Sequence, residues 1–227
     1  MLNRQEQANE HVYPDKGETR PAARFAKRCM DIVIGLLLLF LSMPLMIIIS
    51  AIIVICDGAP VIYVHKRIGR NGKVFGCLKF RSMVRDSDRR LATLLACNPA
   101  AAREWDEKQK LRNDPRILPY VGGLLRSSSL DELPQFWNVI RGDMSLVGPR
   151  PVVAEELARY GMAKSLYLSV RPGLTGLWQI GERSNDDYEE RVRKDIGYIR
   201  NWSLSGDLAI IIKTARVVLS GPSKDAF

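Results

Sequence analysis

An acidic pair, Asp131-Glu132, stands within Ser129-Leu130-Asp131-Glu132-Leu133-Pro134-Gln135, with Arg126 just before it and Arg141 and Arg150 after it. Carboxylates among fixed cations suit phosphoryl transfer. One can attack phosphorus, another can hold a divalent cation, and guanidiniums can hold phosphate oxygens. The same residues have a plainer reading. Ser129 with Glu132 three positions on fits a capping box, in which both acids only complement a helix N-terminus. Pro134 counts against that register, because the Leu130 carbonyl would want an N–H at that position. A helix starting near Asp131 puts Pro134 in the first turn, where no N–H is needed. Asp131 then stands at the helix entrance with Glu132 about 100° around the axis, so the two carboxylates diverge and can take separate roles.

The chain around this pair is 227 residues with a net charge of +9. That length suits one domain plus appendages. The charge points to acidic partners: phosphorylated substrates, anionic lipid or nucleic acid. Four cysteines (Cys29, Cys56, Cys77, Cys97) show no CxxC spacing, the usage of a reducing compartment without a zinc ribbon or disulfide framework. With only His11 and His65 present, His-based metal sites and Ser-His triads are not expected. No Walker A or GxGxxG sequence occurs, which argues against an NTPase or dinucleotide enzyme. A nucleic-acid partner is not expected either, since no helix-turn-helix or aromatic-basic RNA module is present.

Residues 32–56 carry no charged side chain and are long enough to span a bilayer as a helix. No small-residue cleavage site follows, so removal as a signal peptide is not expected. Arg20, Arg24, Lys27 and Arg28 precede this run, and Lys66, Arg67, Arg70, Lys73, Lys79 and Arg81 follow it. Basic flanks mark the cytoplasmic side. With both flanks basic, the reading is a re-entrant hairpin bent at Pro44, a plain kinked spanning helix being the alternative. Pro44 removes the hydrogen bond to the Phe40 carbonyl, and the Ser42 hydroxyl can serve a freed carbonyl. Ser42 and Pro44 thus mark the expected membrane bend.

The rest reads as α+β, mainly helical: residues 1–20 a disordered tail, 21–60 a membrane-embedded re-entrant helix, and 61–227 a compact cytoplasmic catalytic domain. Val61-Ile62-Tyr63-Val64 and residues 74–80, with Asn71-Gly72 between them, predict a small β-hairpin. Lys79 and Arg81 would share one of its faces. Residues 86–112 predict two helices broken at Asn98-Pro99, with a short extended stretch near 113–123. The chain from Gly142 through Pro151 and the segment 171–176 read as loops, with a short helix between them over 152–160. Asn185-Asp186 can cap a helix running to Arg200. Leu208, Ile211, Ile212, Ala215, Val218 and Leu219 fall on one face of a last helix, which either lies in the lipid interface or packs on the core.

With these pieces in order, the chain resembles the bacterial sugar transferases of the monotopic phosphoglycosyl transferase superfamily. The resemblance rests on Lys27-Arg28-Cys29-Met30-Asp31, Leu78-Lys79-Phe80-Arg81-Ser82-Met83, Asn113-Asp114-Pro115-Arg116 and Leu125-Arg126-Ser127-Ser128 running into the acidic segment. Met144-Ser145-Leu146-Val147-Gly148-Pro149-Arg150-Pro151, Arg171-Pro172-Gly173-Leu174-Thr175-Gly176 and Asp195-Ile196-Gly197-Tyr198 complete it. It is most similar to short exopolysaccharide-initiating members that transfer galactose- or glucose-phosphate. The resemblance implies a UDP-hexose donor, an undecaprenyl phosphate acceptor, and a place on the inner membrane with the catalytic domain facing the cytoplasm. Membrane lipid is then a partner, and a homodimer is compatible with it.

By the same resemblance Asp131 is the nucleophile that expels UMP and holds the sugar phosphate, and Glu132 supports Mg²⁺. Arg126 steadies the phosphates, while Pro149 and Arg150 form the turn that holds the nucleotide diphosphate. Lys79 and Arg81 are assigned to the polyprenyl phosphate headgroup, with a lipid-facing basic patch as the other reading. Arg171 is either a substrate contact or part of a loop-bracing ion pair. The chain departs from the family in placing Met43 between Ser42 and Pro44, which leaves the bend angle and the carbonyl served by Ser42 open. Ile117-Leu118-Pro119-Tyr120 is also more apolar than the usual pattern. A basic, anchored but non-catalytic scaffold of a polysaccharide assembly complex is the competing class; it would not require an intact acidic pair with its basic neighbours.

Overall fold

The computed structural model describes residues 21–108, 111–181 and 188–219; the expected tail at 1–20 and the cap at Asn185-Asp186 lie outside them. The fold is α+β and mainly helical. Helix α1 runs from Pro21 to Asp57 with Pro44 inside it, and a window within it has a mean hydropathy of 3.0, enough by length and composition to cross a membrane. The hairpin follows as β1 (Ile62–Ile68) and β2 (Val74–Phe80), antiparallel, with Tyr63 opposite Lys79. Asn71 and Gly72 take φ of 58° and 76° at its tip, the left-handed geometry that makes Asn-Gly a hairpin signal.

Helices α2 (Ser87–Cys97) and α3 (Pro99–Lys108) break at Asn98, whose Oδ1 accepts from the Ala100 and Ala101 N–H groups. The expected extended stretch is an isolated bridge of Met83 with Ile117. After α4 (Gly122–Ser127), a 3₁₀ turn (Leu130–Glu132) leads into α5 (Gln135–Arg141). Two segments expected as loops pair with each other: β3 (Ser145–Val147) and β4 (Gly173–Thr175) form a parallel ladder. Strands of three residues are too short to carry an alternation for a sequence reading to detect. Short helices α6 (Ala154–Ala158) and α7 (Lys164–Leu168) lie between them, and α8 (Tyr188–Arg200) and α9 (Leu204–Leu219) close the chain.

One apolar cluster joins Phe75, Cys77, Val139, Leu146, Tyr198 and Ile210. A second joins Phe80, Val84, Leu118, Val121 and Leu125 to Ile49 and Ile53 of α1; Leu118, from the unusually apolar segment, is thus a core residue. At its other end α1 is held by polar groups. Lys27 Nζ donates to Asp207 Oδ2 at 2.6 Å and to the Val147 carbonyl at 3.1 Å. Arg28 donates to the Val139 and Ile140 carbonyls, both at 2.7 Å, in the last turn of α5, where helical donors run out. Asp31 accepts from the Leu146 N–H and the Ser145 hydroxyl, each at 3.1 Å. Both ends of α1 are therefore seated on one body, while Phe40, Leu41, Met43 and Ile47 around Pro44 stand exposed. Ser42 Oγ donates to the Leu39 carbonyl at 3.1 Å rather than to Phe40, the carbonyl that Pro44 leaves without its helical donor.

Helix α9 packs on the core through part of its surface and leaves apolar side chains exposed. Asp207 and Ile210 are buried and Thr214 meets Thr175 at 2.7 Å, while Leu208, Ile212 and Val218 are exposed.

Candidate active site

The acidic pair sits on the 3₁₀ turn between α4 and α5. Ser129, just before it, has φ 58° and makes no capping hydrogen bond with its side chain, so the capping-box reading does not hold. Left-handed backbone at a serine costs about 1–3 kcal/mol, which the surrounding packing must sustain. Pro134 is the N-cap of α5 and opens that helix without needing an N–H. The turn sets Asp131 inward, 8 % exposed, and leaves Glu132 more open.

Strand β2 brings a cation to this pair. Lys79 Nζ lies 2.7 Å from Glu132 Oε1 and 3.6 Å from Asp131 Oδ2. Burial alone would lower the Lys79 pKa, but the charges of Glu132 and Asp131 outweigh it and hold the ammonium above its ordinary value. Burial pushes the Asp131 carboxyl up; Lys79 pulls it back, Glu132 adds to the rise, and Arg126 acts against it. A buried carboxyl that burial raises and an adjacent ammonium draws back toward the ionised form suits a nucleophile. Cys77, two residues before Lys79 on the same strand, is no competing nucleophile. Burial pushes its thiol up to about 11.

Arg150 is close enough for its charge to be felt here. Its charge acts on Lys79 and on Cys77, and its side chain is exposed. The turn that carries it is braced by β4: Gly148 N–H donates to the Thr175 carbonyl at 2.9 Å, and Gly173 N–H to the Pro149 carbonyl at 2.8 Å. The approach is backbone on backbone, since a Cβ on Gly173 would come 2.1 Å from the Gly148 nitrogen and one on Gly176 would come 2.3 Å from the Gly148 oxygen. Pro149 is buried in this brace. From α8, buried Asp195 accepts from the Arg150 N–H and from the Tyr160 hydroxyl at 2.7 Å, and burial raises its carboxyl to about 6. Two stretches far apart in sequence thus hold one arginine.

The structure therefore brings Asp131, Glu132, Lys79, Arg126 and Arg150 together and places two other expected residues elsewhere. Arg81 is corrected. Strand β2 ends at Phe80, so the alternation that paired Arg81 with Lys79 does not extend to it. Arg81 is buried, with Nη1 3.0 Å from Asp57 Oδ2 and Nη2 2.6 Å from the Gly58 carbonyl; it pins the end of α1 and does not present a charge to lipid phosphate. The Lys79 ammonium is directed to the acidic pair. Arg171 donates through Nε to the Gly142 carbonyl at 2.7 Å, and burial together with Arg28 and Arg70 lowers its pKa. It braces a loop through a carbonyl, not through an ion pair.

Asn138 escaped the sequence reading. Fully buried on α5, it accepts from the Leu78 N–H at 2.9 Å and donates to the Gly76 carbonyl at 2.8 Å, docking α5 on the strand that bears Lys79. A lone asparagine amid Phe136, Trp137, Val139 and Ile140 was the available signal. Arg116 was also unassigned: Asp114 grips it at 2.7 Å and it lies over Trp105.

A carboxylate pair held by Lys79, with the charges of Arg126 and Arg150 acting on it and on Lys79, sits on a body carried by an apolar helix of membrane-crossing length. The chain belongs to the bacterial sugar transferase family, whose model it matches over residues 22–221. It is 52 % identical over 198 residues to the undecaprenyl-phosphate galactose phosphotransferase of Salmonella typhimurium, covering 87 % of this chain and 41 % of that protein. It is 48 % identical over 204 residues to the exopolysaccharide production protein ExoY of Sinorhizobium fredii, covering 90 % of both. With the UDP-glucose:undecaprenyl-phosphate glucose-1-phosphate transferase of Klebsiella pneumoniae it shares 39 % identity over 198 residues, 83 % of this chain and 39 % of that one. The chain thus spans about two fifths of the length of some relatives and nearly all of others.

Proposed function

We propose that the protein is a phosphoglycosyl transferase that moves hexose-1-phosphate, galactose or glucose, from a UDP-hexose to undecaprenyl phosphate, the first membrane step of exopolysaccharide synthesis. The observation that carries this reading is Asp131, sheltered and within 3.6 Å of the Lys79 ammonium. In the first half-reaction an Asp131 oxygen bonds to the phosphorus that bears the hexose. The bond from that phosphorus to the bridging oxygen breaks, and UMP leaves with the electron pair. In the second, a phosphate oxygen of undecaprenyl phosphate attacks the same phosphorus and Asp131 departs as a carboxylate. Lys79, Arg126 and Arg150 offset charge on the phosphoryl oxygens. The names of the relatives support the donor and acceptor classes.

The donor set suits Mg²⁺, which takes one or two carboxylates and fills its other positions with water and substrate phosphates. Glu132 is the group to hold it beside Asp131, and no cluster of three or more acidic, His or Cys side chains forms a cage among the described residues. Bound there, the ion would neutralise diphosphate charge. In this reading the catalytic body lies at the cytoplasmic face of the inner membrane, and α1 enters the bilayer and returns to the same face about Pro44. Support for this lies in the two seated ends of α1 and its bare middle.

The deciding experiment is intact-protein mass after mixing purified protein with Mg²⁺ and UDP-galactose, then UDP-glucose, without lipid. A hexose-phosphate adduct on the parent, absent in Asp131→Asn, is expected. An adduct that persists in Asp131→Asn would remove the nucleophile from this residue.

A further inference from the structure

Gln135 is 3 % exposed, yet its carboxamide makes no hydrogen bond with the described residues. Buried amides are normally paired, and leaving one unpaired costs stability. Unlike Gln179 Oε1, which is sealed off without a partner, neither polar atom of Gln135 is both sealed and unpartnered. What remains open of this residue is its amide end.

Its place in the fold says where that end opens. Leu133 and Pro134 have helical backbone angles between the 3₁₀ turn and α5, so Gln135 follows Asp131 by about one turn on neighbouring faces. Asp131 meets Lys79 of β2, and Asn138, three residues after Gln135, grips Gly76 and Leu78 of the same strand. By the helical repeat Gln135 falls between these two residues on the face that carries them.

We infer that Gln135 is a substrate contact whose amide N–H donates to an oxygen of the phosphoryl group that Asp131 accepts. The inference rests on Asp131 being the nucleophile. Lys79 already supplies a charge that draws the Asp131 carboxyl toward its ionised form. A neutral donor adds a hold on the phosphoryl oxygen without altering that balance, and it does not titrate.

The test is Gln135→Leu, near in shape and without polar atoms. The burst of UMP from UDP-hexose should slow about tenfold or more, and discharge of the adduct onto undecaprenyl phosphate should slow comparably, since the phosphoryl group is common to both steps. The Tm should equal or exceed that of the parent, because an unpaired buried amide has been removed. UMP release within twofold of the parent would overturn the assignment. So would a Tm that falls together with activity, the mark of a packing residue. If the parent releases no UMP from either donor, the functional reading fails on its own. Gln135 is then judged by thermal stabilisation with Mg²⁺ and UDP: a smaller shift in Gln135→Leu keeps the contact, and equal shifts refute it.

Discussion

Lys79 Nζ stands 2.7 Å from Glu132 Oε1, and this contact joins the strand hairpin to the turn that carries the acidic pair. The same ammonium is the nearest counter-charge to Asp131, whose carboxyl burial pushes upward. Replacing Lys79 with methionine should therefore raise the Asp131 pKa further and leave less of it ionised at neutral pH. UMP release at pH 7 should drop by about 10²-fold, the scale seen when one charge-stabilising donor is removed. The acidic limb of the pH–rate profile should also move up by at least about one unit. A reduced rate with an unmoved limb would show that Lys79 binds phosphate without tuning Asp131.

Glu132 gives a metal-dependent prediction. Chelation by EDTA should stop UMP release, and Mg²⁺ should restore it. Glu132→Gln keeps the shape but removes the charge, so the Mg²⁺ concentration for half-maximal rate should rise about tenfold or more, as expected for losing a carboxylate from a site with few protein ligands. An unchanged Mg²⁺ requirement in a slow variant would assign Glu132 to Lys79 alone.

These two residues mark how far the site was legible in the sequence. The acidic pair was visible because adjacent carboxylates within an arginine-rich stretch are a local pattern, and the hairpin because Asn71-Gly72 is a local turn signal. Lys79 was visible as a cation, but its contact with the acidic pair was not. Its partner depends on how α5 docks on β2, and the docking residue is Asn138, distant in sequence from both strand residues that it holds. The parallel pairing of β3 with β4, which braces Arg150, is likewise a long-range contact between two segments that look like loops. Arg81 failed for a related reason: alternation predicts a face only while the strand lasts, and the strand stops one residue earlier.

Arg81 now makes a prediction about stability. It is sealed between the hairpin and the end of α1, paired with Asp57 at 3.0 Å. Arg81→Met leaves Asp57 without its closest cation, and breaking a buried pair costs about 3–5 kcal/mol. The variant should unfold at a clearly lower temperature, while KM for undecaprenyl phosphate in the folded fraction stays near that of the parent. A raised KM with an unchanged Tm would return Arg81 to the lipid headgroup.

Asp195 links the brace of Arg150 to pH. Its carboxyl shifts from an ordinary 3.8 to about 6 in the folded protein through burial, so the folded state holds this proton more tightly. The resulting stability is complete below about pH 4 and is lost as pH rises through about 6; across that window it amounts to about 3 kcal/mol. Tm should therefore rise on acidification from pH 7 to pH 5, and Asp195→Asn should flatten that rise. Equal slopes in parent and variant would place the pH dependence elsewhere.

The last prediction concerns α1. Lys27, Arg28 and Asp31 fasten its beginning to the Asp207 carboxylate, the end of α5 and the β3 backbone, while Asp57 fastens its end to Arg81. Its beginning and end are thus tied to the same body. On the proposed cytoplasmic placement of that body, the exposed apolar stretch about Pro44 enters lipid and the chain returns to the face it left. A single cysteine placed in the N-terminal segment of a variant lacking the native cysteines should then resist an impermeant periplasmic thiol reagent in intact cells and react once the cells are opened. Labelling in intact cells would mean a spanning helix, with the contacts of Lys27 and Asp31 unmade in the membrane.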